Sequence, residues 1–356
     1  MHRLIGPSLL IGALSVGALS VGALCAAAGT AGDSAAGAPY GVKQQFLLGG
    51  AGGWDYLTLD PTAQYLYISR SDRVLVMNTR DGTIVATIPD TQGVHGIALA
   101  PDLGKGFTSN GRADTVTVFD LKSLKSTGTI AVGGHNPDAI VYDKVSQRVY
   151  TFNGRSKDIS VIDPQRGAVI ATIAAGGKPE FAVADGAGRI FYNIEDTAQL
   201  GAIDTSAAKR VATWSLANCD SPSGLAYDAA HKRLFSACDN GVMAVTDSHS
   251  GAHVASLPIG KGPDAAAFDA GRGLIFIPNG SDGTLTVIRE IDPDHYSVIA
   301  TVATQKSART MALDAQNHRV YLVAAEFGPV PATTAEQPRP RAPVIDGTFK
   351  VLVVGN

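Results

Sequence analysis

Seven polar residues able to do chemistry recur at one position of a repeating pattern: Asp55, His95, Asp138, Glu180, Ser223, Asp264 and Arg309. Successive members lie about 40 to 45 residues apart. Four carboxylates and an imidazole gathered in one place form a donor set for a divalent metal. The oxygens suit calcium or magnesium, and His95 also admits a transition metal. Asp55, His95, Asp138, Glu180 and Asp264 are therefore the candidate metal ligands. Arg309 can neutralise the acids or grip an anionic ligand, and Ser223 is a further ligand-binding candidate. Crowded carboxylates raise one another's pKa unless a cation sits among them. The competing use of all seven is structural: bonding the amides of neighbouring loops and holding channel water.

A fixed period of this length marks stacked units, and each unit reads as four short strands, one blade of a β-propeller. In the third unit the inner strand is Asp138 to Asp143 and the second runs from Arg148 to Asn153. The third is Asp158 to Asp163 and the fourth Val169 to Ile173. Their side chains alternate with period two. An aspartate follows the inner strand at Asp60, Asp143, Asp185, Asp228, Asp269 and Asp314, where it caps a turn. The second unit departs from this, with Asp102 near the expected place. The expected fold is all-β, a seven-bladed propeller spanning 42–356. The last unit lacks a fourth strand, and Val42 to Leu48 lacks partners, so pairing the two closes the ring and hides both sheet edges. The residue opening each inner strand then stands at the channel mouth, which turns the seven into a circle.

Loops between second and third strands surround the same mouth. They carry Asn110-Gly111-Arg112, Asn153-Gly154-Arg155 and Asn279-Gly280. Asn-Gly is first of all turn chemistry that tolerates positive φ. The turn does not require Arg112 or Arg155, so both are candidates for an acidic group of a ligand. Trp54, next to the ring, can stack on a flat ligand or pack the loop. In the seventh unit the corresponding loop is long, 326–347, and rich in proline, which makes it semi-rigid. It is a candidate lid, with Glu326 at its start as a ligand contact. The other histidines, including His135, His231, His295 and His318, fall at strand ends and read as solvated.

The net charge is −3 with no basic run, which gives nucleic acid no electrostatic footprint. Met1-His2-Arg3 opens the chain and Leu4 to Gly29 carries no charge; small residues follow that suit cleavage after Ala28. The expected organisation is a signal peptide over 1–28 and a flexible leader over 29–41. An uncleaved anchor is the alternative; with the signal removed, no membrane association is expected. Cys219 and Cys238 fall at one end of the fifth blade, and a disulfide there fits an oxidising compartment better than a metal pair without CxxC spacing. No nucleophile elbow, HExxH, Walker loop or haem-attachment motif occurs.

Pro137-Asp138-Ala139-Ile140-Val141-Tyr142-Asp143, Ser160-Val161-Ile162-Asp163 and Val169-Ile170-Ala171-Thr172-Ile173 resemble the repeat core of the YncE-like family of secreted seven-bladed propellers with YVTN-type repeats. The resemblance covers about 42–356. It implies a monomeric periplasmic or secreted binding protein, and it carries over no catalytic residue. The leading expectation is a propeller that holds a small molecule or a periplasmic protein at its mouth. The first alternative is a metal-dependent hydrolase of lactonase type, or a lyase, using a possible divalent metal in the funnel. The second is a protein-interaction scaffold with a Pro-rich lid.

Overall fold

The computed structural model describes residues 39–334, 340 and 342–356. Among them, 28 strands form seven four-stranded antiparallel sheets, the blades of a seven-bladed β-propeller. The proposed signal peptide, 1–28, lies outside the described residues, as does most of the leader. The leader's last residues are not loose linker. Gly41 opens a strand, and the Tyr40 ring packs on Phe276 of the sixth blade at 5.5 Å. Among the described residues no helix is long and apolar enough to cross a membrane.

Alternation gives each strand one side chain per face every second residue, and each blade buries both faces against its neighbours. The second strands carry the heaviest payload. Tyr67, Tyr150, Tyr192, Phe235, Phe276 and Tyr321 are all buried. Rings meet across blade boundaries in the pairs Tyr67–Phe119, Phe152–Tyr192 and Phe235–Phe268. The ring closes as the termini require: Gly41–Leu47 pairs antiparallel with Lys350–Gly355, completing the sheet of Arg319–Ala324 and Met311–Asp314.

The turn aspartates behave as their position demands. Carboxylates of Asp60, Asp143, Asp185, Asp228, Asp269 and Asp314 accept backbone N–H groups two to four residues on. Asp102 does not substitute for the missing one and instead accepts from the Tyr142 hydroxyl. In all seven blades the residue just before the second strand has positive φ: Gln64, Gly104, Gln147, Gly188, Lys232, Gly273 and His318. Only three of these are glycine, so side-chain capping and sheet pairing hold a strained conformation at the other four.

The Asn-Gly segments differ from expectation. Asn110, Asn153 and Asn279 are buried strand ends without positive φ; the left-handed residues are Asp114, Lys157 and Gly283, just before the third strands. Each asparagine amide staples second strand to third. Asn110 Nδ2 donates to Thr115 and Thr117, Asn153 to Asp158 and Ser160, and Asn279 to Thr284 and Thr286. A short side chain satisfied by two acceptors inside the sheet outweighs its turn preference.

Candidate functional site

The mouth is assembled blade by blade, each inner strand pinned by its neighbours. The Asp55 amide donates to Ser69 Oγ at 2.9 Å, and its carbonyl accepts from Thr310 Oγ1 of the last blade at 2.7 Å. The Asp138 carbonyl accepts from Ser109 of the preceding blade. Asn193 Nδ2 donates to the carbonyls of Ser223 and Gly224 in the next. Hydroxyls and amides on the second strands thus fix where the ring residues begin.

Three of the five expected ligands converge. Asp55, His95 and Asp138 place one donor atom each within 4.8 Å of one another. His95 Nδ1 lies 2.5 Å from Asp55 Oδ2 and 3.7 Å from Asp138 Oδ1. The other two lie outside this group, each paired with a cation. Asp264 is engaged by Arg309 Nε at 2.6 Å, and Arg309 Nη2 also lies 3.7 Å from Asp55 Oδ1. Glu180 accepts from Lys178 Nζ at 2.6 Å, and Lys178 also pairs with Glu195. Two cations inside the acid ring replace what a larger metal site would have supplied.

Cations do not abolish the upward shifts, because burial outweighs them. Burial and the neighbouring Asp55 charge push Asp138 up to about 6 against the pull of His95. Burial and Asp55 lift Asp264 to about 7 despite Arg309, and burial and Asp138 lift Glu180 to about 9 despite Lys178. Burial alone would lower His95, but the Asp55 hydrogen bond and the Asp138 charge raise it to about 9. Tyr56, one residue beyond Asp55, lies down the channel beside Phe181 at 5.1 Å and is bonded to Asp138. Burial first, then the surrounding carboxylates, hold its hydroxyl firmly protonated.

Above the triad lies a cavity of 400 Å³ lined by Asp55, His95, Arg112, Asn136, Arg155 and Arg309, among others. The expected rim arginines are therefore in place over the expected acid–histidine group. The cavity is off-centre, over the first three blades. Asp138, Glu180, Ser223 and Asp264 do not line it. Ser223 Oγ donates to the Pro263 carbonyl at 2.8 Å, a bond that ties the fifth blade to the sixth.

Trp54 lines the edge of the cavity and packs the loop. It is 7% exposed, and its ring packs on Phe349 at 5.2 Å and Phe327 at 5.8 Å. It anchors the foot of the long loop, where Gly328 N donates to Pro343 O and Ile345 N to Glu326 O. Glu326 itself is exposed at that foot and does not line the cavity. Residues 335–339 and 341 of the expected lid lie outside the described residues.

Cys219 and Cys238 are joined, with S–S 2.00 Å and Cα atoms 5.3 Å apart. The histidines read as solvated, His135, His231 and His295 among them, are exposed as expected, though these three also pair with carboxylates, and His318 is the exception. His318 Nδ1 lies 2.6 Å from the buried Asp269, and His231 Nδ1 lies 2.7 Å from Asp228 and 3.4 Å from Glu290. The last three make a second histidine–carboxylate group, at the opposite face. Sequence reasoning also missed Lys178 and Tyr56. Lys178 was legible: it stands two residues before Glu180, and an extended chain puts such residues on one side.

No family model matches the chain, and no curated protein matches it. Among solved structures it is similar to Kuenenia stuttgartiensis hydrazine synthase, at 16% identity and TM-score 0.67 over 76% of this chain and 92% of that one. It is similar to U3-55K at 9% identity and TM-score 0.71, over 88% of this chain and 98% of that one. The WD40 repeats of RRP9 give 9% and 0.72, over 89% and 97%. At these identities the likeness shows the propeller fold and nothing of the site.

Proposed function

We propose that this chain is a binding propeller of the secreted YncE-like kind that holds a small anionic ligand over Asp55, His95 and Asp138. The observation that carries this reading is the charge distribution around the mouth cavity. Arg112 has no ion-pair partner among the described residues, while Arg309 and His95 are already matched by acids. A carboxylate-bearing ligand would meet Arg112 and Arg155 at the rim and Asn136 beside them, with the matched pairs beneath supplying orientation. The test is thermal unfolding of the full chain with citrate and with succinate at matched ionic strength. A saturable rise in Tm that disappears in the Arg112→Gln/Arg155→Gln variant is the expected result. No rise with either acid, or one that survives in the variant, overturns it.

A second reading rests on the triad. Two carboxylates and an imidazole with donor atoms within 4.8 Å are a fitting set for a transition-metal dication, which would take the place of the proton between His95 and Asp55. Such an ion would supply Lewis-acid activation for hydrolase or lyase chemistry. Titration of the chelator-treated protein with zinc and manganese separates the readings. One equivalent bound, and lost in Asp138→Asn, favours the metal. Export across a membrane is supported by the uncharged run from Leu4 to Gly29 and the Cys219–Cys238 bond. Alkylation of protein recovered from the native compartment, with and without reductant, should differ by two modified cysteines.

A further inference from the structure

Where the ring closes, on the face opposite the mouth, the strands Gly41–Leu47 and Lys350–Gly355 meet beside the turn of the sixth blade. A cavity of 330 Å³ opens there, lined by Lys43, Arg272, His318 and Arg319, with no carboxylate side chain among its lining residues. These four come from separate places in the sequence. Lys43 stands on the closing strand Gly41–Leu47, Arg272 in the sixth blade's inner turn, and His318 and Arg319 at the seventh blade's inner turn.

Three details bring the cations together. The closing strand slips register between Val42 and Gln44, so Lys43 is the extra residue of a β-bulge, a device that re-aims a side chain. Gly355 lies between two basic stems: a Cβ added to it would stand 3.8 Å from Arg319 Cγ and 3.9 Å from Lys43 Cγ. Arg272 Nη1 reaches across to the Tyr40 hydroxyl at 3.1 Å and to Asn356 Oδ1 at 2.6 Å, both uncharged side-chain groups. Two carboxylates stand beside the cavity and both are engaged: Asp269, wholly buried, accepts from the Gly271 amide and pairs with His318 Nδ1, while Asp314, opposite Arg319 in the strand pair, accepts from the Gln316 and Asn317 amides and Asn317 Nδ2. Lys43 Nζ has a backbone carbonyl, that of Pro39, as its bonding partner.

Cations gathered at a strand bulge, where the nearby acids Asp269 and Asp314 are engaged by other donors, repel one another unless an anion joins them. The geometry points to a site for a phosphoryl oxyanion at this closure, held by the Arg272 and Arg319 guanidiniums and the Lys43 ammonium. Guanidinium forks match the oxygens of phosphate in pairs, and lysine adds a point charge. The cavity admits either free phosphate or the phosphate of a small monoester. Because its walls are the first and last strands, occupancy stabilises the closed ring by mass action.

The experiment uses the full chain with inorganic phosphate and, separately, phosphoserine, each against chloride at equal ionic strength. Isothermal titration should give one saturable site, and Tm should rise by about 2–4 °C at saturation. Tighter binding of phosphoserine would identify a monoester as the source, and tighter binding of phosphate the free ion. Lys43→Gln and Arg319→Gln should each weaken binding at least tenfold. The mouth variant Arg112→Gln/Arg155→Gln should leave it unchanged. Absence of a phosphate-specific heat overturns the site. So does binding that survives both closure variants, or that vanishes in the mouth variant, which would move the anion to the mouth.

Discussion

The mouth and the closure lie on opposite faces of one ring, and both gather cations, but they treat charge differently. At the mouth each inward cation has been given partners. Arg309 meets Asp264, Lys178 meets Glu180 and Glu195, and His95 meets Asp55. Arg70, wholly buried beneath the first loop, has no acid partner among the described residues and is held instead by the carbonyls of Gly50, Ala51 and Gly52 and the face of Phe349 at 3.7 Å, so burial and not an ion pair fixes it in place. At the closure Lys43, Arg272 and Arg319 face a shared cavity, and the nearby acids Asp269 and Asp314 are engaged by other donors. Compensated charges hold a structure together, because removing one strands the others. Uncompensated ones are spare, and spare charge on a concave surface belongs to something that binds there. By the same measure Arg112 and Arg155 are the mouth's own spare charges.

The comparison breaks most directly at Arg70. Arg70→Met should cost about 2–3 kcal/mol, since the Gly50 and Gly52 carbonyls lose their donor and Phe349 its cation, while Ala51 keeps Arg73. A urea midpoint within error of wild type would show that the loop rearranges freely and that compensation at the mouth is not structural. Lys178→Met should cost less, about 1–2 kcal/mol at pH 9, because the ammonium is partly open to solvent. At pH 5 the loss should shrink, since Glu180, pushed up to about 9, then keeps its proton and needs no cation.

The mouth should also announce itself in pH dependence. Asp138, Asp264, Glu180 and His95 are raised from 3.8, 3.8, 4.5 and 6.5 to about 6, 7, 9 and 9. Each therefore binds its proton more tightly folded than unfolded. Such a group contributes stability fully below its unfolded pKa and loses it as pH rises through the folded value. All four act in the same direction, so stability should fall as pH climbs from 4 to 9. The slope is about 1.4 kcal/mol per pH unit for each extra proton held. Urea unfolding at pH 5, 7 and 9 checks the sign, and Glu180→Gln with Asp138→Asn should flatten the curve. A wild-type midpoint that rises with pH would mean the acids ionise freely among their cations.

How much of this was legible follows from the distance over which each feature is determined. The blades were, because alternation and the turn aspartates act within a few residues, and ring closure followed from one unpaired strand at each end. The circle of ring residues was legible for the same reason: the repeat places Asp55, His95 and Asp138 equivalently. Their final grouping was not, since it depends on Lys178 and Arg309 withdrawing Glu180 and Asp264 across blades. Turn conformation was misread where glycine seemed to mark it. Left-handed residues such as Gln147, Lys157 and His318 are forced by strand pairing, while Asn110 and Asn153 are held extended by partners five to seven residues away. The loop packing of Trp54 was one of two readings the sequence left open, because its partners Phe327 and Phe349 lie more than 270 residues along the chain. The closure cavity left no sequence signal, being built from the first and last strands at once.

The smallest expected effect is the one that separates the two faces. Lys43→Gln removes a charge as Lys178→Met does, but from a place where no acid depends on it. The substitution forfeits one long bond, Nζ to the Pro39 carbonyl at 3.3 Å on an exposed surface, and relieves repulsion from Arg319. In phosphate-free buffer of low ionic strength its unfolding free energy should lie within about 0.5 kcal/mol of wild type, and on the stabilising side if either. Salt should erase what gain there is, because screening weakens like-charge repulsion in the wild type as well. A clear loss of stability in Lys43→Gln would mean that the ammonium is already compensated within the chain. The closure would then be charge-balanced like the mouth, and the contrast between the two faces would be gone.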